Sequence, residues 1–356
     1  NLVFTPNANY NGPASFTYTV SDAGGLTANA TVTAAGNDAA KTLTIDAAAN
    51  TANTLTIADA GAKAGDITVS NAKSTVTLAD AFQGTGDVTV VTADDAAVAI
   101  NFGTSTTGTR TVNATAMTDG DMLTLTGSDA LTLSSGDADV DAAAYTGAIT
   151  ATVTNAAASS FEIGTAATGI TAGGSATLTI DADAGGSTAG ALTLAGTATG
   201  DVAVTGAEST VTLADGFTGT GLVSVTTADV AALMVALGTS TSGSRAVNAT
   251  AMTDSDVLTL TGNALDNIIK LSSDKCLSVT LGAIESSSVR HATCIVAATG
   301  PIEFTVKQCG LHGLQHIADR PRTGHRHQRK PFEIWPNGCF HAVWRPPNQR
   351  PQSVFR

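Results

Sequence analysis

Residues 1–270 contain no cysteine and no histidine, and the whole 356-residue chain is only 4% aromatic and 13% charged. Without cysteine this body has no disulfide frame and must hold itself by sheet pairing, packing or bound ions. Lacking histidine and cysteine, it forms no nucleophile-base pair of the Ser-His or Cys-His kind. Positive charge is equally scarce, with 6 Lys and Arg against 25 Asp and Glu over residues 1–270, a net charge of -19. Such a surface repels phosphate backbones, so nucleic acid is not an expected partner. The longest apolar run, Val230 to Leu237, is far below the roughly 18 residues that cross a bilayer as a helix, so no transmembrane segment is expected.

Ala, Thr, Gly and Asp dominate instead, with apolar residues at alternate positions. Near the start, Phe4-Thr-Pro6, Tyr10-Asn-Gly12 and Phe16-Thr-Tyr18-Thr-Val20 lead into the turn Ser21-Asp22-Ala23-Gly24-Gly25 and the strand Asn29 to Thr33. This is the pattern of half-buried antiparallel strands. A hairpin is marginal alone, so earlier strands are expected upstream. The run FTPNANYNGPASFTYTVSDAGGLTANATVTAAGNDAA resembles the closing strands of the bacterial cadherin-like, immunoglobulin-type repeats of giant adhesins and secreted RTX-type proteins. The resemblance covers residues 1–38 and implies the C-terminal strands of an Ig-like sandwich over 1–40, with Tyr10 a corner or core aromatic. It also implies calcium at a junction between repeats, for which Asp22, Asn37 and Asp38 are the matching oxygen ligands. The Pro that usually follows is replaced by Ala39.

The strongest internal signal is self-similarity at an offset of 135. Residues 74–127 align without gaps on 209–262, with 38 of 54 positions identical, and Thr42-Leu-Thr-Ile-Asp46 returns as Thr177-Leu-Thr-Ile-Asp181. This sets a repeated β domain at 41–270, with units 42–176 and 177–270. Short alternating runs recur within each unit, among them Thr42–Ile45, Thr54–Ile57, Asp66–Val69, Thr75–Leu78, Asp87–Val91, Val98–Phe102, Met122–Leu125, Leu131–Leu133 and Ile149–Val153. Ala228–Leu237 has a helical composition, but its copy keeps Val98, Ile100 and Phe102 opposite Leu233, Val235 and Leu237, so it reads as a strand. Between residues 41 and 270 there are four Phe, one Tyr and no Trp. So few large side chains fill a thin core, which favours an all-β solenoid of stacked coils over the alternative of tandem sandwich units.

Candidate chemistry is sparse. Asp137, Asp139 and Asp141 alternate, so an extended strand projects all three from one face as a possible calcium set; a solvated acidic edge is the plainer reading. Gly262-Asn-Ala-Leu-Asp-Asn267 is similar to the lead-in of RTX calcium arrays, without the glycine-rich turns that follow there. Arg110 and Arg245 occupy equivalent places near Asp119 and Asp254; one Arg per unit in a Thr-rich strand reads as a structural or surface residue, and carbohydrate-active solenoids make a secreted enzyme the alternative reading. Thr-x-Thr runs raise ice binding, though Thr is favoured on exposed strands anyway.

From Leu271 onward the character changes. Residues 271–356 carry a net charge of +6 and hold all four Cys, all six His and both Trp. Cys309, His312 and His316, with His325, His327, Cys339 and His341, have zinc-like elements, and Arg320 to Lys330 is a basic stretch; a shifted reading frame, a chimera or a disordered tail explains them as well. The sequence reading is therefore an extracellular or cell-surface bacterial protein, an adhesin, structural stalk or surface-layer component stabilised by calcium and not an enzyme. Its expected partners are cell-surface receptors, glycans or other copies of itself.

Overall fold

The computed structural model describes residues 31, 42–48, 54–58, 65–79, 82, 85–104, 108–183, 188–238, 242–253 and 256–261, and the backbone alone of 2–3, 30, 32–33, 266–271, 278–282, 286–290 and 297–299. Strands joined by turns and bends, with no helix, make up these described residues. In chain order they are β1 (Leu2–Val3), β2 (Ala30–Thr33), β3 (Thr42–Asp46), β4 (Leu55–Ala58), β5 (Asp66–Ala72), β6 (Thr75–Leu78), β7 (Val88–Thr92), β8 (Ala97–Asn101) and β9 (Arg110–Ala114). Next come β10 (Met122–Thr126), β11 (Leu131–Ser135), β12 (Asp139–Asp141), β13 (Ile149–Val153), β14 (Ser159–Glu162), β15 (Thr168–Ala172), β16 (Leu178–Asp181), β17 (Leu192–Gly196) and β18 (Val202–Ala207). The last nine are β19 (Val211–Leu213), β20 (Leu222–Thr227), β21 (Ala232–Ala236), β22 (Ser244–Ala249), β23 (Val257–Thr261), β24 (Asp266–Leu271), β25 (Ser278–Gly282), β26 (Ser286–Arg290) and β27 (Ala297–Thr299).

Every pairing among them is parallel, and from β2 onward each skips one strand. The even-numbered strands, with β1, make one sheet of 14 and the odd-numbered strands from β3 make another of 13. The chain thus alternates between two sheets and climbs one rung per coil, which is the β-solenoid that the thin core demands. Ala232–Ala236 is a strand, as its copy required. The ladders also run through β24, β25, β26 and β27, so the change of composition near residue 270 is not matched by a break in pairing. The predicted Ig-like sandwich falls largely outside the described residues; of that segment, β1 and β2 pair in parallel with each other and β2 with β4.

Alternation fixes which side chains enter the core. In the odd sheet one inner row reads Leu43, Ile67, Val88, Arg110, Leu131, Ile149, Thr168, Leu192 and Val211, one position per rung. The body's few aromatics all go inside: Phe82, Phe102, Tyr145, Phe161 and Phe217 are at most 4% exposed. Corners are closed by side chains of residues at the strand ends. Asp46, Asn101, Asn113, Asp141, Asp181 and Asn248 each accept the N–H two positions on, the Asx turn that lets the chain leave the ladder without stranding a donor.

The outer middle row of the odd sheet is a threonine ladder: Thr44, Thr68, Thr89, Thr111, Thr132 and Thr150 lie on consecutive rungs, and after Gly169 the row resumes with Thr193 and Thr212. The even sheet's outer face differs. There Asp141, Glu162 and Asp181 stack on consecutive rungs, with Asp139 beside them.

The repeat and the coil do not share a period. Equivalent strands of the two units, such as β9 and β22 or β10 and β23, are thirteen strands apart. Thirteen is odd, so one unit is six and a half coils and the second unit lays every strand on the opposite sheet. Inner positions stay apolar across this exchange (Val88/Val223, Val112/Val247, Leu123/Leu258, Leu125/Leu260), because both sheets face one core. Leu125 is fully buried whereas Thr124 points outward on the same strand. Leu125→Ala is expected to cost about 2–5 kcal/mol and Thr124→Ala about 0.5 kcal/mol or less, read from the midpoints of urea unfolding.

Candidate functional site

The inner row of the odd sheet contains one cation. Arg110 opens β9, and the inward alternation of Arg110, Val112 and Ala114 carries its side chain into the core, where it is fully buried. Such a charge needs partners, and neighbouring coils supply them. Its Nε lies 2.8 Å from Oδ2 of Asp129, itself 5% exposed. Nη1 donates to the carbonyl of Thr109 at 3.3 Å, and the guanidinium carbon sits 6.0 Å from the centre of the Phe82 ring in the preceding coil. Tyr145, one coil beyond Asp129, donates its hydroxyl to the Asp129 carbonyl at 2.9 Å. Burial lowers the Arg110 pKa and raises that of Asp129, each opposed by the other's charge. Burial also raises the Tyr145 phenol, assisted by Asp129, so it stays protonated as the donor this arrangement needs.

Glycine shapes the approach. Gly108 has φ +79°, and a Cβ there would stand 2.3 Å from the Gly86 carbonyl oxygen and 3.1 Å from Arg110 Nη1; Gly243, at φ +72°, stands in the same relation to Arg245. Both positions require a residue without a side chain.

The second unit repeats only half of this. Arg245 is fully buried, its guanidinium carbon is 5.1 Å from the centre of Phe217, and Nη1 donates to the Ser244 carbonyl at 2.9 Å. At the position aligned with Asp129 the sequence has Ala264, and among the described residues Arg245 meets no carboxylate. Its pKa is lowered by burial alone. The two arginines, for which the sequence favoured a structural or surface role over a catalytic one, are core residues on opposite sheets, and the carboxylate beside Arg110 is Asp129 rather than Asp119.

The sequence-proposed metal ligands are placed separately. Asp22, Asn37 and Asp38 lie outside the described residues, as do the zinc-like residues of the tail. Asp137 accepts the N–H groups of Ala156 and Ala157 from the next coil, at 2.8 Å for the latter. Asp139 accepts both the N–H (2.7 Å) and the hydroxyl (2.8 Å) of Ser160, and Asp141 caps its own turn at Ala143. Asp139 and Asp141 share the outer face with Val140 turned inward, as alternation required. Among the described residues no three Asp, Glu, His or Cys side chains converge as a metal-binding group. The acidic row instead acts on Glu162, whose pKa is raised by burial first and then by Asp141, Asp181 and Asp183.

Residues 1–35 match the family model of a bacterial Ig domain. Comparison with curated proteins and with solved structures gives no match. No helix among the described residues is long and apolar enough to cross a membrane.

Sequence reasoning missed Asp129 and Tyr145. The signal for the first was present, since an arginine at an inward position predicts a buried anion one coil away. Removing that anion is expected to be costly. Asp129→Ala leaves Arg110 buried beside an empty position and should lose about 3–5 kcal/mol, while the double variant Arg110→Met with Asp129→Ala should recover most of that loss. Equilibrium unfolding of the two variants checks it; equal losses would refute the pairing.

Proposed function

We propose that the chain is part of a bacterial surface protein in which Ig-like sequence leads into a rigid, non-catalytic solenoid that serves as a stalk or adhesive spacer. The observation that carries this reading is the unbroken pair of parallel ladders. Stacked at about 4.8 Å per rung, 14 strands extend roughly 60 Å, and each coil is held by both neighbours. A bacterial Ig domain match over residues 1–35 supports an extracellular setting. Placement of Arg110 and Arg245 in the core, away from either outer face, supports a structural over a carbohydrate-cleaving role. Antibodies to the solenoid should label intact bacteria that produce the protein. Labelling only after permeabilisation would overturn the surface assignment.

Calcium stabilisation belongs to the same proposal. Divalent cations held diffusely near the stacked Asp141, Glu162 and Asp181, without coordination by all three, would screen their mutual repulsion, and Asp22, Asn37 and Asp38 are the ligands carried over from the Ig-type resemblance. Because the folded pKa of Glu162 is raised, its contribution favours the fold below the ordinary carboxylate range and is lost as pH rises through the raised value. Glu162→Gln should therefore stabilise the protein at neutral pH by roughly 0.2–1 kcal/mol, with the difference closing in acid. Calcium should raise the wild-type melting temperature relative to chelator, and less so in the variant. A wild-type melt indifferent to calcium would remove the ion from this proposal.

A further inference from the structure

Arg245 is fully buried, yet its Nε and Nη2 have no hydrogen-bond partner among the described residues; Nη1 donates to the Ser244 carbonyl. The two unpartnered atoms belong together. On a guanidinium the Nε–H and the nearer Nη2–H project in parallel from one edge, the edge that takes a carboxylate side-on. An arginine does not escape burial by losing its proton, so a guanidinium held in the core needs an opposite charge against it.

The first unit shows what that edge takes. There Nε of Arg110 lies 2.8 Å from Oδ2 of Asp129, and Asp87 is a second negative charge acting on the same guanidinium. Neither carboxylate is copied: the residues aligned with Asp87 and Asp129 are Leu222 and Ala264. The rest of the cradle is copied. Phe217 stands for Phe82, the Ser244 carbonyl for that of Thr109, and Gly243 for Gly108. On the preceding rung Val223 is opposite Arg245 as Val88 is opposite Arg110. The next rung departs from the copy. Leu131 is opposite Arg110, whereas Arg245 is opposite Asn267, one place past the residue aligned with Leu131. Asn267 is neutral and brings no charge.

The second unit thus keeps what buries and orients the arginine and drops what neutralises it. Leaving a buried charge without its partner is strongly destabilising, whereas an apolar residue in place of the whole pair is tolerated well; the chain retains the arginine all the same. Val223 and Val247, both buried beside it in the same core, keep the local dielectric low and so strengthen any ion pair formed there. One positive charge calls for one negative charge, since a multivalent anion would leave an excess in the core. The exchange of Asp for Ala removes a single carboxylate group, which sets the size of what replaces it.

We propose that the Nε–Nη2 edge of Arg245 is a buried anion site, which takes up one small monovalent anion of the chloride or formate class as the coil folds around it. This site is independent of the surface role proposed above.

Only the folded chain has the site, so anion binding is read as stability. Urea unfolding of the full chain at constant ionic strength, with chloride exchanged for gluconate, a monovalent anion much larger than a carboxylate group, tests it. The folding equilibrium constant should rise about tenfold for each tenfold rise in free chloride above its dissociation constant. Arg245→Met should abolish the response, and so should Ala264→Asp, which restores the carboxylate at the position aligned with Asp129. The double variant Arg110→Met with Asp129→Ala should keep it, because its change lies in the first unit. A wild-type chain indifferent to chloride, or a response that survives Arg245→Met or Ala264→Asp, would overturn the site. Asp266→Asn separates the ion from a carboxylate of the chain itself: the variant should respond as the wild type does, and a response that arises only in this variant would make Asp266 the counter-ion and overturn the proposal. A readout independent of variant folding is bromide in crystals of the wild-type chain, whose anomalous signal should lie at hydrogen-bonding distance from Nε and Nη2 of Arg245; no signal there would sink the idea.

Discussion

Each coil of this protein pairs its backbone with the coil before and the coil after, in parallel and in register, and every other feature is subordinate to that ladder. Parallel pairing between coils fixes a residue by two coordinates, its rung and its row. Rows alternate between core and solvent, so a side chain's fate is decided by parity within its strand. Small aliphatic residues meet this demand best, because two sheets roughly 10 Å apart leave no room for many large ones. The five aromatics of the body are spread singly along the core, and polar side chains serve the corners instead. Asp66 accepts the N–H of Asp87, which accepts that of Thr109; Asp201 accepts the N–H of Leu222, the same link carried into the second unit. The carboxylates thus tie rung to rung where the strands begin, and Asx turns release the chain where they end.

The buried arginines show the same logic under strain. A guanidinium in an inner row loses its water and must recover the cost from neighbours on adjacent rungs. Arg110 does so across four coils: Phe82 below, Asp129 above, and Tyr145 above that, holding the Asp129 backbone. Because these contacts cross coils, the cluster couples rungs that otherwise interact only with their nearest neighbours. Arg245 keeps the aromatic and the carbonyl contact but not the aligned carboxylate, so the two copies differ most in charge balance at the point where their sequences are otherwise alike.

Much of this was legible in the sequence. Alternation located Thr75–Leu78 and Ile149–Val153 as the strands they are, and the copy at Val98–Phe102 decided the strand character of Ala232–Ala236 against its helix-like composition. The scarcity of aromatics was enough to choose coils over sandwiches. What escaped was cross-coil chemistry. Nothing local in Asp129 or Tyr145 marks them as partners of Arg110; they become so only when the rungs that begin at Arg110, Leu131 and Ile149 are stacked in register. Asp137, Asp139 and Asp141 were read as neighbours because they are adjacent in sequence, yet in a solenoid the closer relation of Asp141 is to Glu162 and Asp181, one and two rungs away.

A repeat of six and a half coils carries a consequence for how such a chain diversifies. Were the unit an even number of strands, each position would return to the same face, and a face would be built automatically from copied residues. With thirteen strands, copying alone makes the two faces alternate in character at every unit. A face that stays uniform across the junction must therefore be composed position by position against the repeat. The core meets no such conflict, since inward on one sheet is equivalent to inward on the other, and Val112 and Val247 or Leu125 and Leu260 persist unchanged. Outer positions do meet it: Thr68, Thr89 and Thr111 give way to Ala203, Ser224 and Ala246 on transfer to the even sheet, Ala58 gives way to Thr193 on the odd one, and Thr77 passes unchanged to Thr212, so each outer position has been settled separately while the core was copied.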